Sequence, residues 1–486
     1  MQERFSHNNN NYWDLVAAER RLFLWFKTIF TIYSIYLHFL STFTTCRMQA
    51  YSIPQIAKPF TTAITLPGSK SIALRQLAMS AMSKGTSTLT GVPACDDIDA
   101  MCECLTALGA IVERTQGPDN DNVRITGPIN LTADVVLNAG MSGASTRLLI
   151  GLAALRSGTT HIDGHPSLQV RTNQPLLDVL VRHGCSVESP SAESPSFETQ
   201  TGRLPLSIRG PIEFPDTIEI DGSISSQYIT ALLIAATNNT RKQRISITGN
   251  LVSRPYINIT LAEMQKRGVR AQWIDDSKLE IDTGFYQNND IKIEGDATAA
   301  TYFAALATLH AGSVTLTNLG SNTQQGDYEF LEVMQMLGST IHKEPGTTTI
   351  TGPTRLASLP SLDLERMPDA ALTLIAMAPL IPGETTIAGL STLHHKECDR
   401  LICSARELSA LGASVEATES TITVGQTEAD GFNEHQVTTY HDHRMAMAFS
   451  TLGSFCGGLS VDDKPVVNKT YPHYWEHFET LLSVEH

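Results

Sequence analysis

The chain has 486 residues, of which 42% are hydrophobic and 17% charged, and it carries a formal net charge of -15 at pH 7. That length exceeds one ordinary core and suits two large ones, in a composition typical of globular proteins rather than disordered ones. With no Lys/Arg-rich run to offset it, the negative balance excludes nucleic acid and anionic lipid as expected partners, so any positive charge with a chemical task must be gathered locally.

The first element along the chain is residues 22–43, LFLWFKTIFTIYSIYLHFLSTF, about as long as a membrane span but interrupted by Lys27 and His38. A membrane anchor, a secretory signal and a nonfunctional extension are the readings open to it; its flanks and cleavage site are poor for a secretory signal. MQAYSIPQI, starting at Met48, is an ordinary start for a soluble domain. Residues 1–47 are therefore expected to be a nonfunctional or disordered extension. The protein is expected to be cytoplasmic, with no membrane partner.

Next comes LPGSKSIALRQLAMSA, residues 66–81, a turn that launches an apolar helix. Free backbone amides, the Lys70 ammonium and the Ser71 hydroxyl converge at its start, with Arg75 one turn along, an arrangement that binds a phosphate or carboxylate. A capped helix with solvated cations is the plainer reading of this stretch alone.

A recurring phrase then organises the chain: LTALGAIVE, LVRHGCSVE, MQKRGVRAQW, MQMLGSTIH and LSALGASVE. Each reads as an amphipathic helix end, a glycine turning through the left-handed region, and a β-branched strand start. Gly109, Gly184, Gly268, Gly338 and Gly412 lie roughly 70 to 84 residues apart, and one more interval reaches the amphipathic WEHFETLLS at Trp475. Six αβ units, three to a domain, are predicted. No GxGxxG or GxxxxGK[ST] is present, so neither a dinucleotide fold nor a P-loop is indicated.

Further polar clusters stand at predicted helix starts. Ser225, Ser226 and Gln227 precede one apolar run, and Ser253 and Tyr256 another; together they offer more hydrogen-bonding groups than capping uses. Asp369 opens an apolar helix, as an ordinary N-cap or as a buried base facing a ligand hydroxyl. In HHKECDR, Lys396 and Arg400 are predicted on one helix face four residues apart, where they repel unless an anion sits between them. Arg444 and Lys469 add cations ahead of later segments. The histidines lack HExxH, and the eight cysteines lack a CxxC pair, so neither a metal site nor a disulfide framework is read from them.

Taken together, LPGSKS with Arg75, DGSISSQ, LVSRPY, EGDATAATYF, QQGD, MPDAALT, HKECDR, DHRMAMAF and NKTYPHYW resemble the EPSP synthase (3-phosphoshikimate 1-carboxyvinyltransferase) family, in that family's order, over about residues 53–482. The resemblance implies a two-domain inside-out α/β barrel with three αβ repeats per domain, helices inside and sheets outside. One domain would span 66–293, and the other would combine 52–65 with 294–486. It implies addition–elimination that moves the enolpyruvyl group of phosphoenolpyruvate onto the 5-hydroxyl of shikimate 3-phosphate, by a monomer needing no cofactor. Carried over, Lys70, Ser71, Arg75, Ser225, Ser226, Gln227, Ser253, Tyr256, Asp369, Thr392 and Lys396 would hold shikimate 3-phosphate, with Arg75 on its carboxylate. Lys70, Gly143, Arg171, Gln227, Lys396, Arg400, Arg444 and Lys469 would hold phosphoenolpyruvate. Asp369 would be the base, with Glu397 and Lys70 as proton donors.

The chain departs from the family's pattern in several places. Met141 and Ala144 replace an amide and a hydroxyl beside Gly143 and Arg147, Thr172 replaces a proline, Thr392 an asparagine and His394 an arginine. These changes bear on phosphoenolpyruvate affinity and glyphosate response more than on the reaction. Two alternatives are the UDP-N-acetylglucosamine enolpyruvyl transferases, whose family lacks the GSKS, SSQ and HKECDR set, and a catalytically silent small-anion-binding protein on the same scaffold.

Overall fold

Each phrase glycine sits where an amphipathic helix gives way to a strand, with φ between 78° and 107° at Gly109, Gly184, Gly268, Gly338 and Gly412, a region costly to any residue with a Cβ. The computed structural model describes residues 49–189, 202–237, 241–428 and 431–482. The apolar stretch at 22–43 lies outside the described residues. Among those described, no helix is long and apolar enough to cross a membrane.

In chain order the main helices are α1 (Lys70–Met82), α2 (Asp96–Ala107), α3 (Gly143–Ala154), α4 (Gln174–Arg182), α5 (Ser226–Ala235), α6 (Arg254–Lys266), α7 (Ala297–Leu309), α8 (Phe330–Met336), α9 (Pro368–Met377), α10 (Arg400–Ala410), α11 (His443–Cys456) and α12 (Tyr474–Thr480). The odd-numbered helices are nearly wholly buried: α3, α5, α7 and α9 are largely apolar, while α1 and α11 also bury polar side chains such as Arg75, Gln76, His443 and Arg444. The even-numbered helices α2 to α10 bury one face only, and the phrase glycines end them. In one half α3 packs against α1 and α5; in the other α7, α9 and α11 pack against one another.

Every odd–even pair belongs to a small mixed sheet. In the second unit Val135–Asn138 runs parallel to Thr160–Asp163, which pairs antiparallel with Leu206–Arg209, itself antiparallel to Ser186–Glu188. The sheets led by Thr217–Asp221 and Leu362–Asp363 repeat that order. Two other sheets exchange their first strand. Thr61–Ile64 lies beside Ser313–Leu316, and Ile291–Lys292 lies beside Gly85–Val92. The sixth sheet, His435–Val437 with Leu459–Val461, is completed by Tyr51–Ser52 from the start of the described chain.

Buried apolar side chains accordingly form two cores, one from Ile72 to Ile293, the other from Ile53–Leu66 together with Ala297–Leu481. The two crossover segments between them run side by side: Ser69 N–H donates to the Glu294 carbonyl at 2.7 Å, and Asp296 N–H donates to the Pro67 carbonyl at 2.9 Å. Gly68 and Gly295 bridge at the centre. A Cβ on Gly68 would lie 1.8 Å from the Gly91 carbonyl oxygen, so the approach requires glycine.

Three local expectations change. Asp369 is not an N-cap: Met367 holds that place, and Asp369 is the second residue of α9. Lys396 and Arg400 do not share a helix face, because α10 starts at Arg400 with Asp399 as its cap and Lys396 precedes it in a loop. Tyr256 lies within the first turn of α6 rather than ahead of it.

Candidate active site

The starts of all six odd-numbered helices line one cleft of about 570 Å³ between the two cores: Lys70 and Ser71 of α1, Gly143 and Ala144 of α3, Ser225 to Gln227 at α5, Asp296 and Thr298 at α7, Asp369 of α9, and His443 and Arg444 of α11. Helix N-termini carry unpaired N–H groups and partial positive charge, so this convergence makes an anion site independently of any side chain. Arg75, Arg171, Ser253, Tyr256, Thr392, Lys396, Glu397 and Arg400 complete the lining among the sequence-predicted residues. Lys469 does not line the cleft; it stands behind Glu397, with its Nζ 2.6 Å from Oε1.

The wall from the 72–293 core is rich in neutral donors and acceptors. Ser225 caps α5 by accepting from the Gln227 amide, and Ser253 holds φ 55° with its hydroxyl unused in capping. Arg75 donates to Ser71, Thr260 and the Tyr256 carbonyl and touches no carboxylate among the described residues; burial pushes its guanidinium down to about 10. So it does for Arg147, where the neighbouring Arg171 adds to the effect. Gly143 faces both guanidiniums, and a Cβ there would lie 2.7 Å from Arg171 Nη1 and 2.8 Å from Arg147 Nη1. Lys70 Nζ meets Asp97 Oδ2 at 2.9 Å. Burial disfavours its charge, but Asp97 and Glu397 outweigh burial and hold the ammonium above its ordinary range.

The opposite wall is an ion-pair network. Asp369 Oδ1 accepts from Lys396 Nζ at 3.0 Å and from Arg400 Nη1 at 2.8 Å, while Oδ2 accepts from Arg444 Nη2 at 3.3 Å and from the Tyr256 hydroxyl at 3.2 Å. The anion that the spacing of Lys396 and Arg400 demands is thus Asp369. Arg400 also reaches Glu397 Oε2 at 2.8 Å and Asp442 Oδ2 at 2.7 Å, and Arg171 Nη1 lies 4.0 Å from Glu397 Oε1. Burial alone would raise both acids, but the surrounding cations outweigh it and hold Asp369 and Glu397 well below the usual carboxylate range. Arg171, Lys396, Arg400, Arg444 and Lys469 outnumber the acids Asp369, Glu397 and Asp442 that they touch, leaving surplus positive charge for a bound anion.

Sequence reasoning passed over several residues here. Asp97 is the partner of Lys70; Asp296 caps α7 and also accepts from the Lys70 amide at 3.2 Å; Asp327 lies beside Tyr256. His443 is buried with neither ring nitrogen bonded among the described residues, held neutral by burial and by Lys469 and Arg444. The QQGD and EGDA motifs contained two of these acids, but nothing local shows what a buried acid faces.

Six N-terminal helix ends around a cationic cleft, on paired three-unit halves, define an α/β anion-binding scaffold. A family model described as EPSP synthase (3-phosphoshikimate 1-carboxyvinyltransferase) matches residues 54–478. The 3-phosphoshikimate 1-carboxyvinyltransferase of Shewanella denitrificans is 34% identical over 421 residues, 86% of this chain and 96% of that one. That of Klebsiella pneumoniae is 32% identical over 452 residues, 90% of this chain and 100% of that one. The EPSP synthase structure from Acinetobacter baumannii superposes with a TM-score of 0.71 at 23% identity, covering 89% of this chain and 98% of that one. The enolpyruvyl transferase NikO from Streptomyces tendae gives 0.68 at 15%, covering 88% and 96%. The chain belongs to the EPSP synthase family.

Proposed function

We propose that the chain transfers the enolpyruvyl group of phosphoenolpyruvate to the 5-hydroxyl of shikimate 3-phosphate, releasing phosphate, as a cytoplasmic monomer whose two cores are its two domains, 66–293 and 52–65 with 294–486. The observation that carries the mechanism is Asp369: a buried carboxylate braced by Lys396, Arg400 and Arg444 from its own wall and touched by Tyr256 from the other.

Shikimate 3-phosphate fits the wall of Ser71, Arg75, Ser225, Ser226, Gln227, Ser253 and Tyr256, with Thr392 and Lys396 opposite. Its carboxylate supplies the counter-ion that Arg75 lacks. Phosphoenolpyruvate fits between Lys70, Gly143, Gln227 and Arg171 on one side and Lys396, Arg400 and Arg444 on the other, with Lys469 adding its charge from behind Glu397. Charge-assisted contacts of this kind are worth roughly 1.5 to 3 kcal/mol each, enough in number to offset desolvation of two multiply charged ligands. Lys70, protonated and buried beside Asp97, delivers a proton to the methylene and makes the adjacent carbon electrophilic. Asp369 accepts the proton of the attacking hydroxyl, and loss of phosphate from the tetrahedral adduct restores the double bond. Glu397 is ionised in this state; anionic ligands that draw Arg171, Arg400 and Lys469 toward themselves loosen that hold and raise its proton affinity, which a donor requires.

The test is phosphate release on mixing the purified chain with both substrates. Release with shikimate 3-phosphate supports the assignment; release only with UDP-N-acetylglucosamine as acceptor, or none with either, overturns it.

A further inference from the structure

Asp327 is a second buried carboxyl in the cleft, with no part in the reaction as described. It sits in the turn Gly326–Glu329 ahead of α8 and is 5% exposed. Its Oδ2 accepts from the Thr298 hydroxyl and lies 3.5 Å from the Tyr256 hydroxyl, which is also 3.2 Å from Asp369 Oδ2. Its Oδ1 is buried with no hydrogen-bond partner among the described residues. A phenol has one proton to give, so two ionised carboxylates converging on Tyr256 leave one of them facing oxygen lone pairs. A second proton along the line Asp327, Tyr256, Asp369 removes that conflict.

The charged and titratable groups facing Asp327 are Asp369 on α9, Arg444 on α11, Asp296 at the start of α7 and Tyr256 on α6. Glu329 in its own turn pairs outward with Arg366, and Arg254 on α6 pairs with Asp276 and stacks on Trp273. Burial and the charge of Asp369 push the Asp327 carboxyl up to about 7, against the opposing pull of Thr298 and Arg444. Burial and the two acids also hold the Tyr256 phenol well above its ordinary range, so it keeps its proton. Asp369, ringed by cations, is by contrast a weak base, and a stronger one beside it improves proton abstraction.

We propose that Asp327 is a positioning residue that takes up, through Tyr256, the proton that Asp369 receives from the attacking hydroxyl. This rests on the reaction proposed above. The substrate O–H bond breaks and its proton reaches Asp369 Oδ2. It passes to the Tyr256 oxygen as the phenol's own proton moves to Asp327 Oδ2. One O–H bond is lost at the substrate and one gained at Asp327; Tyr256 is unchanged and Asp369 is again a carboxylate. The same path run backwards returns the proton to solvent as the products leave.

Asp327 must be ionised before each turnover, so kcat rises with pH through a limb near 7. The experiment follows phosphate release by the full chain between about pH 5.5 and 9. Asp327→Asn is expected to lower kcat about tenfold or more and abolish the limb, leaving KM for shikimate 3-phosphate within about twofold; Asp327→Glu restores part of both. Thr298→Val keeps the carboxyl but loses a hydrogen bond to its charged form, so it moves the limb to higher pH, and it serves if the asparagine variant does not fold. A limb retained in Asp327→Asn, or unmoved in Thr298→Val, overturns the proposal while leaving the reaction standing. A KM raised more than about tenfold in Asp327→Asn overturns it in favour of a ligand-binding role. No turnover by the unsubstituted chain overturns the parent reading and this one together.

Discussion

The wall built on the 72–293 core meets the cleft with hydroxyls, an amide, Lys70 paired with Asp97, Arg171 near Glu397, and the buried guanidiniums of Arg75 and Arg147, which form no ion pair among the described residues. The facing wall meets it with Lys396, Arg400 and Arg444, backed by Lys469 behind Glu397, all paired with Asp369, Glu397 or Asp442. Burial disfavours the charged guanidinium on both sides, but the outcomes differ. It pulls Arg75 and Arg147 down to about 10, while paired acids hold Arg400 and Arg444 above their ordinary range. An arriving anion therefore relieves an electrostatic deficit on the first wall and competes with an existing partner on the second. The first arrangement suits recognition of a hydroxylated acid; the second suits chemistry, because competition for cations changes the basicity of the acids left behind.

Breaking the second wall at its centre has the largest expected effect. Asp369→Ala should lower turnover by a factor on the order of 10³ while still binding shikimate 3-phosphate, as read by phosphate release and by calorimetric titration. Turnover at the original level would remove Asp369 from its role as base.

The next comparison pits one arginine against another. Arg400→Met takes one cation from Asp369 and Glu397 and leaves the buried Asp442 without its arginine partner, and should cost about 3 to 5 kcal/mol in urea unfolding at neutral pH, whereas Arg75→Met should cost clearly less and weaken shikimate 3-phosphate binding instead. The pH dependence follows from the acids. Because Asp369 and Glu397 are depressed in the folded state, their contribution is present above the ordinary carboxylate range and is lost as pH falls through and below it. The penalty of Arg400→Met should shrink toward acid pH; a penalty constant with pH would mean the network contributes little.

The smallest effect sharpens the boundary between the walls. Gly143→Ala places a methyl against Arg171 and Arg147, and should raise KM for phosphoenolpyruvate about tenfold while leaving shikimate 3-phosphate affinity unchanged. Equal loss for both ligands, in steady-state kinetics, would show that the two subsites are not separable there.

What the sequence disclosed and what it hid divide along the range of the interactions. The five phrase glycines were legible because a left-handed helix end is a local demand that few residues meet. The cleft residues were legible by type and position, since hydroxyls and cations at helix starts imply a ligand. Their partners were not. Lys396 and Arg400 called for an anion, yet its identity as Asp369 depends on packing α9 against α10. Asp327 looks like any acid near a helix start until Tyr256 arrives from the other core. The exchange of Thr61–Ile64 and Ile291–Lys292 between halves leaves no local trace either, because each is simply a short strand until its neighbour is known.

The paired crossovers at Gly68 and Gly295 set what kinds of relative movement the halves can make. Two backbone segments bonded edge to edge bend together far more readily than they slide, so they favour a swing about one line over a shear. Lys70 follows Gly68 by two residues, and its amide is tied to Asp296 on the companion segment. The ammonium therefore sits almost on the axle, where a wide opening at the far rim of the cleft displaces it least. Under such a swing Lys70 would keep its 2.9 Å contact with Asp97, while residues on the outer loops would travel the longest arcs.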